Sequence, residues 1–178
     1  MTTNDTVTAA TAQTAPTTST THDGAAGAHV PAPAQRIVLP KLAPAYYQAM
    51  VAVDQAARTG LDPVIVELVK LHASMINGCA YCIDMHSTDA VRQGEQEHRL
   101  LSLPAWRETP WFTARERAAL ALTESVTLLT EGHVPDAVWA EAAARFEEAE
   151  LAQLVALIAT INAWNRIGVS TRMSPAAK

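Results

Sequence analysis

Cysteine and glycine are both scarce in this sequence, with two and seven residues among 178. No stretch alternates apolar and polar side chains as a half-buried β-strand would. About 140 residues follow an N-terminal tail, enough to bury roughly two thirds of the unfolded surface, so the fold does not need a disulfide for stability. We therefore expect one compact helical domain, in which the two thiols are free for chemistry.

An excess of basic side chains is absent as well. Thirteen Lys and Arg stand against 18 Asp and Glu, a formal charge of −5, and the charges are scattered. Nucleic acid and anionic membranes are therefore not expected partners. The most apolar stretch, 151–169, contains Arg166 and several polar side chains, which makes it too polar for a bilayer span and predicts a buried helix. Since the N-terminus lacks the basic start and apolar core of an export signal, we expect a cytoplasmic protein.

Large apolar side chains are almost missing from the N-terminal region. Residues 2–21 consist mostly of Thr, Ala and Ser. Such a composition cannot bury enough apolar surface to offset the entropy lost on ordering. We predict a disordered tail over 1–36 and one helical domain over 37–178.

Apolar side chains in this domain recur at intervals of three and four residues, the period of an amphipathic helix. The fold class is thus predicted to be all-α, with about seven helices. They span 41–58, 63–76, 79–93, 95–102, 113–130, 136–146 and 148–170. The residue before Pro104 disfavours helical angles, so an irregular segment is expected there. Trp106, Trp111 and Phe112 lie in this segment. Such aromatics can line a substrate pocket but more often pack in a core or a subunit contact, and we favour the subunit contact.

The two cysteines, Cys79 and Cys82, lie close together and are followed by His86. At about 100° per residue these three side chains share one helical face. The first turn of a helix carries unpaired amide donors and the positive end of the dipole, which favours a thiolate. His86 is within helical reach of Cys82 and can act as its base. Glu67 on the preceding helix can fold back to orient His86, and Asp89 is a weaker candidate.

Three kinds of chemistry fit two neighbouring thiols and an imidazole. The first is a redox cycle, in which one thiolate attacks, forms a sulfenic acid and is resolved by the other thiol. The second is a zinc site with Glu67 as fourth ligand, although structural zinc sites usually draw ligands from two separate knuckles. The third is a structural disulfide, which in so short a loop contributes only about 2 kcal/mol. Thiol redox chemistry is the leading interpretation, with a redox sensor or a non-catalytic binding protein as the alternative.

The residues around the cysteines resemble the AhpD-like alkylhydroperoxidases of the carboxymuconolactone decarboxylase superfamily. The resemblance is carried by Glu67-Leu68-Val69-Lys70 and by Asn77-Gly78-Cys79-Ala80-Tyr81-Cys82 with His86. It extends over about 46–167 and leaves out the Thr-rich tail. It implies an all-helical bundle that assembles as a homo-oligomer, usually a trimer or a hexamer, and that reduces hydroperoxides without a metal or another cofactor.

The same resemblance assigns roles to four residues. It implies that Cys82 attacks the peroxide, that Cys79 resolves the intermediate, and that Glu67 and His86 relay the proton. The resulting disulfide would be recycled by a dithiol partner, a lipoyl group or a thioredoxin-like protein. The chain departs from the characterised peroxidases at Tyr81, where they have a histidine, and a tyrosine is a far poorer base at neutral pH.

Overall fold

The structure is a computed structural model and describes residues 30–176. These residues form eight α-helices and one 3-10 helix, with no strand among them, which confirms the all-α prediction. The helices are α1 Leu39–Leu42, α2 Pro44–Ala57, α3 Pro63–Ile76, α4 Ala80–Arg92, α5 Glu97–Ser102, a 3-10 helix Leu103–Glu108, α6 Ala114–Thr127, α7 Asp136–Ala143 and α8 Glu148–Thr171.

The stretch 2–21 lies outside the described residues, so the disorder predicted for 1–36 stays a prediction. Ahead of α1 the backbone N–H of Arg36 donates to the carbonyl oxygen of Thr171 at 2.9 Å. The guanidinium of Arg36 donates to the carbonyl oxygen of Ser170 at 3.0 Å. The chain therefore contacts the end of α8 before its first helix begins.

Proline explains two differences between the predicted and observed helices. The predicted helix 41–58 is two helices, because Ala43, directly before Pro44, has φ −134° and ψ 61°. Leu103, directly before Pro104, instead keeps the helical angles φ −51° and ψ −39°. The chain therefore continues as a 3-10 helix to Glu108, interrupted by a kink at Ala105 with φ −123° and ψ 31°. The predicted irregular segment is confirmed at this kink and over 109–113, and is wrong for the helical turns between Leu103 and Glu108.

The central element is α3, in which every residue from 65 to 74 is buried. It packs against α4, α6 and α8, and apolar clusters lie on two of its sides. Trp106 and Phe112, only 4% and 5% exposed, belong to the cluster between α3, α5 and α6. Their interpretation as a subunit contact is therefore wrong, because these rings pack inside their own chain. Trp111 is 46% exposed and contacts the ring of His98.

A group of polar side chains ties the turn between α3 and α4 to α8. The side-chain amide nitrogen of Asn77 lies 3.0 Å from the amide oxygens of both Asn162 and Asn165. Asn165 in turn donates to the hydroxyl of Ser74 at 2.9 Å, and Asn162 donates to that of Thr127 at 3.0 Å. These bonds fix the place where the cysteine motif begins.

None of the helices within residues 30–176 combines the length and the apolarity that crossing a membrane requires. The longest, α8, buries Leu154, Leu157, Ile158 and Ile161 completely.

Candidate active site

The cysteine motif begins directly after the tight turn between α3 and α4. Gly78 has a positive φ of 65°, which a residue without a Cβ adopts at little cost. Cys79 then caps α4 in an extended conformation, and its N–H donates to the carbonyl oxygen of Ser74 at 3.0 Å. Cys82 lies in the first turn, so both cysteines lie at the helix N-terminus as the sequence predicts.

The structure joins Cys79 and Cys82 as a disulfide, with Cα atoms 5.3 Å apart. Both side chains are buried, at 1% and 3% exposure. The two thiols are thus close enough to exchange between dithiol and disulfide without moving either helix.

Glu67 and His86 form a buried pair across the α3–α4 hairpin. The carboxylate oxygen Oε2 of Glu67 lies 2.8 Å from Nδ1 of His86, and the two residues are 3% and 2% exposed. A carboxylate accepts the Nδ1–H and so leaves Nε2 as the nitrogen that can take up a proton. The other carboxylate oxygen lies 4.0 Å from the guanidinium of Arg58. Asp89, the weaker candidate, instead pairs with Arg92 at 3.3 Å.

A cavity of about 350 Å³ opens beside this pair. Cys82, His86 and Tyr81 line it, together with apolar side chains of α2 and α8 such as Tyr47 and Trp164, whose rings meet edge to face at 5.5 Å. Cys79 and Glu67 are not part of its wall. A small molecule in the cavity would therefore meet the sulfur of Cys82 and the imidazole of His86, with Cys79 and Glu67 behind them.

A second ion pair lies on the wall of the same cavity. The ammonium of Lys70, a residue 1% exposed, donates to Oδ1 of Asp54 at 2.5 Å, and Arg58 donates to Oδ2 at 2.9 Å. Burial lowers the pKa of Lys70, and its hydrogen bond to Asp54 opposes this shift without cancelling it. Burial would raise the pKa of Asp54, but Lys70 and Arg58 outweigh burial and lower it.

Sequence reasoning quoted Lys70 only as part of the motif and missed Asp54 and Arg58 as neighbours of the site. A signal existed for Lys70, since this lysine stands in a mostly apolar helix, Pro63–Ile76, three residues after Glu67. Asp54 and Arg58 reach the site through the packing of α2, which the sequence pattern does not show.

Gly168 of α8 lies against the disulfide. A Cβ built on this residue would come within 2.9 Å of Sγ of Cys79 and 3.7 Å of Sγ of Cys82. Only a residue without a side chain therefore fits here while the sulfurs keep their positions.

Among residues 30–176 no three His, Cys, Asp or Glu side chains are arranged as a metal site. The four side chains that a zinc site would require are paired with each other, as the disulfide and as the pair of Glu67 and His86.

The profile of the carboxymuconolactone decarboxylase family matches residues 44–125, a range that includes α2, α3 and α4. The uncharacterized protein YdfG of Bacillus subtilis is 35% identical over 145 residues, which are 81% of this chain and 99% of the relative.

Among the crystal structures that resemble the fold are those of two bacterial proteins. One is a protein of unknown function from Agrobacterium tumefaciens, suggested to be the antioxidant defence protein AhpD, with 34% identity and a TM-score of 0.80. The match covers 82% of this chain and all of that one. The other is an uncharacterized peroxidase-related protein with an AhpD core from Ralstonia eutropha, with 19% identity and a TM-score of 0.68 over 77% of this chain and 74% of that one. At that identity the likeness concerns the fold alone.

Proposed function

Because this chain belongs to the carboxymuconolactone decarboxylase family and has the AhpD-like helical fold, we propose that it is a thiol-dependent hydroperoxide reductase. The observation that carries the proposal is the buried pair of Glu67 and His86, 2.8 Å apart, beside the cavity that Cys82 also lines. A thiol needs a base to become a nucleophile, and a base works better when a third group orients it.

The reaction begins with the dithiol form. His86 takes the proton of the Cys82 thiol, and the thiolate attacks the terminal oxygen of the hydroperoxide R–O–O–H. The S–O bond forms as the O–O bond breaks, so Cys82 becomes a sulfenic acid and one alcohol is released. The thiol of Cys79 then attacks the sulfenic sulfur, which releases water and forms the disulfide. Cys82 takes the first step because it faces the cavity, whereas Cys79 lies behind it against Gly168.

An external dithiol closes the cycle. It reduces the disulfide by thiol exchange and is itself oxidised to a disulfide. A lipoyl group or a thioredoxin-like protein has the required chemistry, and the choice between them stays a prediction, as does assembly into a trimer or a hexamer.

The two cysteine-to-serine variants are expected to lose peroxide reduction in different ways. Cys82→Ser should abolish consumption of tert-butyl hydroperoxide in the presence of dihydrolipoamide, because no thiolate faces the cavity. Without the dithiol, Cys79→Ser should consume one equivalent of peroxide per chain and then stop as the sulfenic acid, because the resolving thiol is gone. Peroxide consumption, with dimedone labelling and mass spectrometry to locate the sulfenic acid, measures both.

Equal rates in the native protein and Cys82→Ser would refute peroxide reduction at this site. A redox sensor, the alternative function, gives a different result. The native protein would then form its disulfide with one equivalent of peroxide and would not turn over with the dithiol. Thermal unfolding midpoints close to the native value serve as the control for correct folding.

A further inference from the structure

Lys70 is a charged side chain with almost no contact with bulk water. It is 1% exposed, between the apolar residues Val69 and Leu71 of α3. Burying an ammonium is costly unless it is paired and hydrogen-bonded, and a hydrophobic residue of similar volume is often as stable or more stable. A purely structural role therefore does not require a lysine at this position.

The hairpin places Lys70 at the level of Cys82. Helices α3 and α4 run antiparallel from the Asn77-Gly78 turn, and Glu67 faces His86 across them. Moving towards the turn from that pair, Lys70 comes three residues after Glu67, and Cys82 comes four residues before His86. At about 1.5 Å of rise per residue these steps are about 4.5 and 6 Å, so Lys70 and Cys82 lie at nearly the same height.

The ammonium of Lys70 is held in place by Asp54 and has further N–H donors available for a bound molecule. Asp54 accepts one N–H of Lys70 at 2.5 Å, and an ammonium has three. Asp54 is itself fixed by Arg58 at 2.9 Å. Lys70 lines the cavity with Cys82 and His86, so a molecule bound there meets a thiol, an imidazole and an ammonium together.

We propose that Lys70 is the general acid of this site, which protonates the alkoxide oxygen that leaves when Cys82 attacks a hydroperoxide. The inference rests on the proposed function and adds a catalytic residue to it. Attack on the terminal oxygen releases RO⁻, a strongly basic leaving group, and a positioned proton donor accelerates such a step. Lys70 gives one proton to RO⁻, and the proton that His86 has taken from Cys82 balances the loss. The products are Cys82 sulfenic acid and ROH.

Lys70 suits this role better than the other groups of the cavity. His86 accepts a proton in the same step and so begins as a base. The phenol of Tyr81 also lines the cavity, but among residues 30–176 the structure gives it no charged partner comparable to Asp54, which positions the ammonium of Lys70. Burial lowers the pKa of Lys70, which makes the ammonium a better acid than an exposed lysine.

The test compares leaving groups in the Cys79→Ser background, where peroxide oxidises Cys82 once and dimedone traps the sulfenic acid. Lys70→Met should lower the second-order rate constant for tert-butyl hydroperoxide by at least about a hundredfold, the low end of general-acid effects. Oxidation by peracetic acid and alkylation by iodoacetamide should stay within about twofold, because acetate and iodide leave without a proton. Lys41→Met, an exposed lysine on α1, is the matched control and should leave all three rates unchanged. Tyr81→Phe is measured beside it, to distinguish the phenol from Lys70 as the proton donor.

Four other results overturn the inference. Unchanged rates in Lys70→Met would refute it and leave the proposed function intact. An equal fall for all three reagents would show that Lys70 acts on the thiolate and not on the leaving oxygen. Loss of the hydroperoxide reaction in Tyr81→Phe alone would assign the proton to the phenol. Absence of any peroxide reaction at Cys82 in the Cys79→Ser protein would refute the proposed function and the inference with it.

A measurement with Lys70 in place covers the case in which Lys70→Met does not fold. Alkyl hydroperoxides whose leaving alcohols differ in acidity are compared in the Cys79→Ser protein. Proton donation by Lys70 predicts rate constants that depend weakly on alcohol acidity. A dependence as steep as that of a free thiolate in solution would overturn the inference.

Discussion

Gly168 is the residue on which the position of the disulfide depends most directly. In the middle of a helix, alanine is normally more stable than glycine by roughly 0.5–1 kcal/mol. Here the added methyl group would lie 2.9 Å from Sγ of Cys79, closer than van der Waals contact allows. Helix propensity therefore predicts that Gly168→Ala stabilises the protein, whereas the packing against Cys79 predicts that it destabilises the protein.

We expect Gly168→Ala to destabilise the oxidised protein by about 1–3 kcal/mol, the usual cost of overpacking. Reduction frees the Cys79 side chain to change rotamer, so the loss should be smaller in the dithiol form. Thermal unfolding of both forms and titration against a dithiol buffer measure the two effects. In a Cys79→Ala background, where the sulfur is absent, Gly168→Ala should stabilise. The same loss in both backgrounds would show that the sulfur is not the obstacle.

The reactive residues could be predicted from the sequence because they belong to one local pattern. Cys79, Cys82 and His86 share a helical face, and Glu67 lies on the helix before the turn. Asp54 and Gly168 could not be found in this way. They lie on α2 and α8 and reach the site only because these helices pack against the hairpin. Residue spacing along the chain does not show which helices pack together.

At the scale of elements, the α3–α4 hairpin is the unit that builds the site, and Asn77 joins it to α8. The side-chain amide of Asn77 donates a hydrogen bond to the side-chain oxygen of Asn165, a fully buried residue. Asn77→Ala removes this donor and leaves the oxygen without it. An acceptor left unpaired in the interior costs about 1–3 kcal/mol. We expect the free energy of unfolding to fall by this amount in denaturant titration. Gln93→Ala, at the exposed far end of α4, is the control, and an equal effect of both substitutions would contradict a special role of Asn77.

The hairpin helices are also the best predicted elements. The expected range 63–76 is the observed α3, and 79–93 differs from α4 by one residue at each end. Asp62, which caps α3 through the N–H of Val64 at 2.8 Å, and the positive φ of Gly78 make these ends local properties of the chain. The ends of α6 and α7 lack such a signal, and both helices stop three residues earlier than expected.

At the scale of the whole molecule, α3 also carries a hydrogen-bonded pair outside the site, formed by buried His72 and partly buried Glu124 of α6. His72 Nε2 lies 3.1 Å from Oε1 of Glu124 on α6, an oxygen that also accepts from the Trp106 indole at 2.8 Å. Arg107 pairs with the other carboxylate oxygen. These contacts connect α3, the 3-10 helix and α6.

The pair of His72 and Glu124 makes the stability depend on pH. Burial lowers the pKa of His72 below its ordinary value of 6.5, and Glu124 opposes this shift without cancelling it. Between pH 6.5 and the lowered pKa, His72 is therefore protonated in the unfolded chain and neutral in the folded chain. The stability is fully present above pH 6.5 and falls with decreasing pH until the lowered pKa is reached. Burial would raise the pKa of Glu124, but Trp106, Arg107 and His72 lower it below 4.5, so a further loss follows below pH 4.5.

His72→Gln should remove the upper part of this pH dependence. Glutamine keeps an N–H donor for Glu124 and does not titrate, so the free energy of unfolding should fall less between pH 6.5 and 5 than in the native protein. The difference in slope is at most about 1.4 kcal/mol per pH unit, the value for one proton. Denaturant titrations across this range measure it, with His98→Gln, an exposed histidine on α5, as the matched control. If both His72→Gln and His98→Gln show the same pH dependence of the free energy of unfolding as the native protein, His72 is not the group responsible for it.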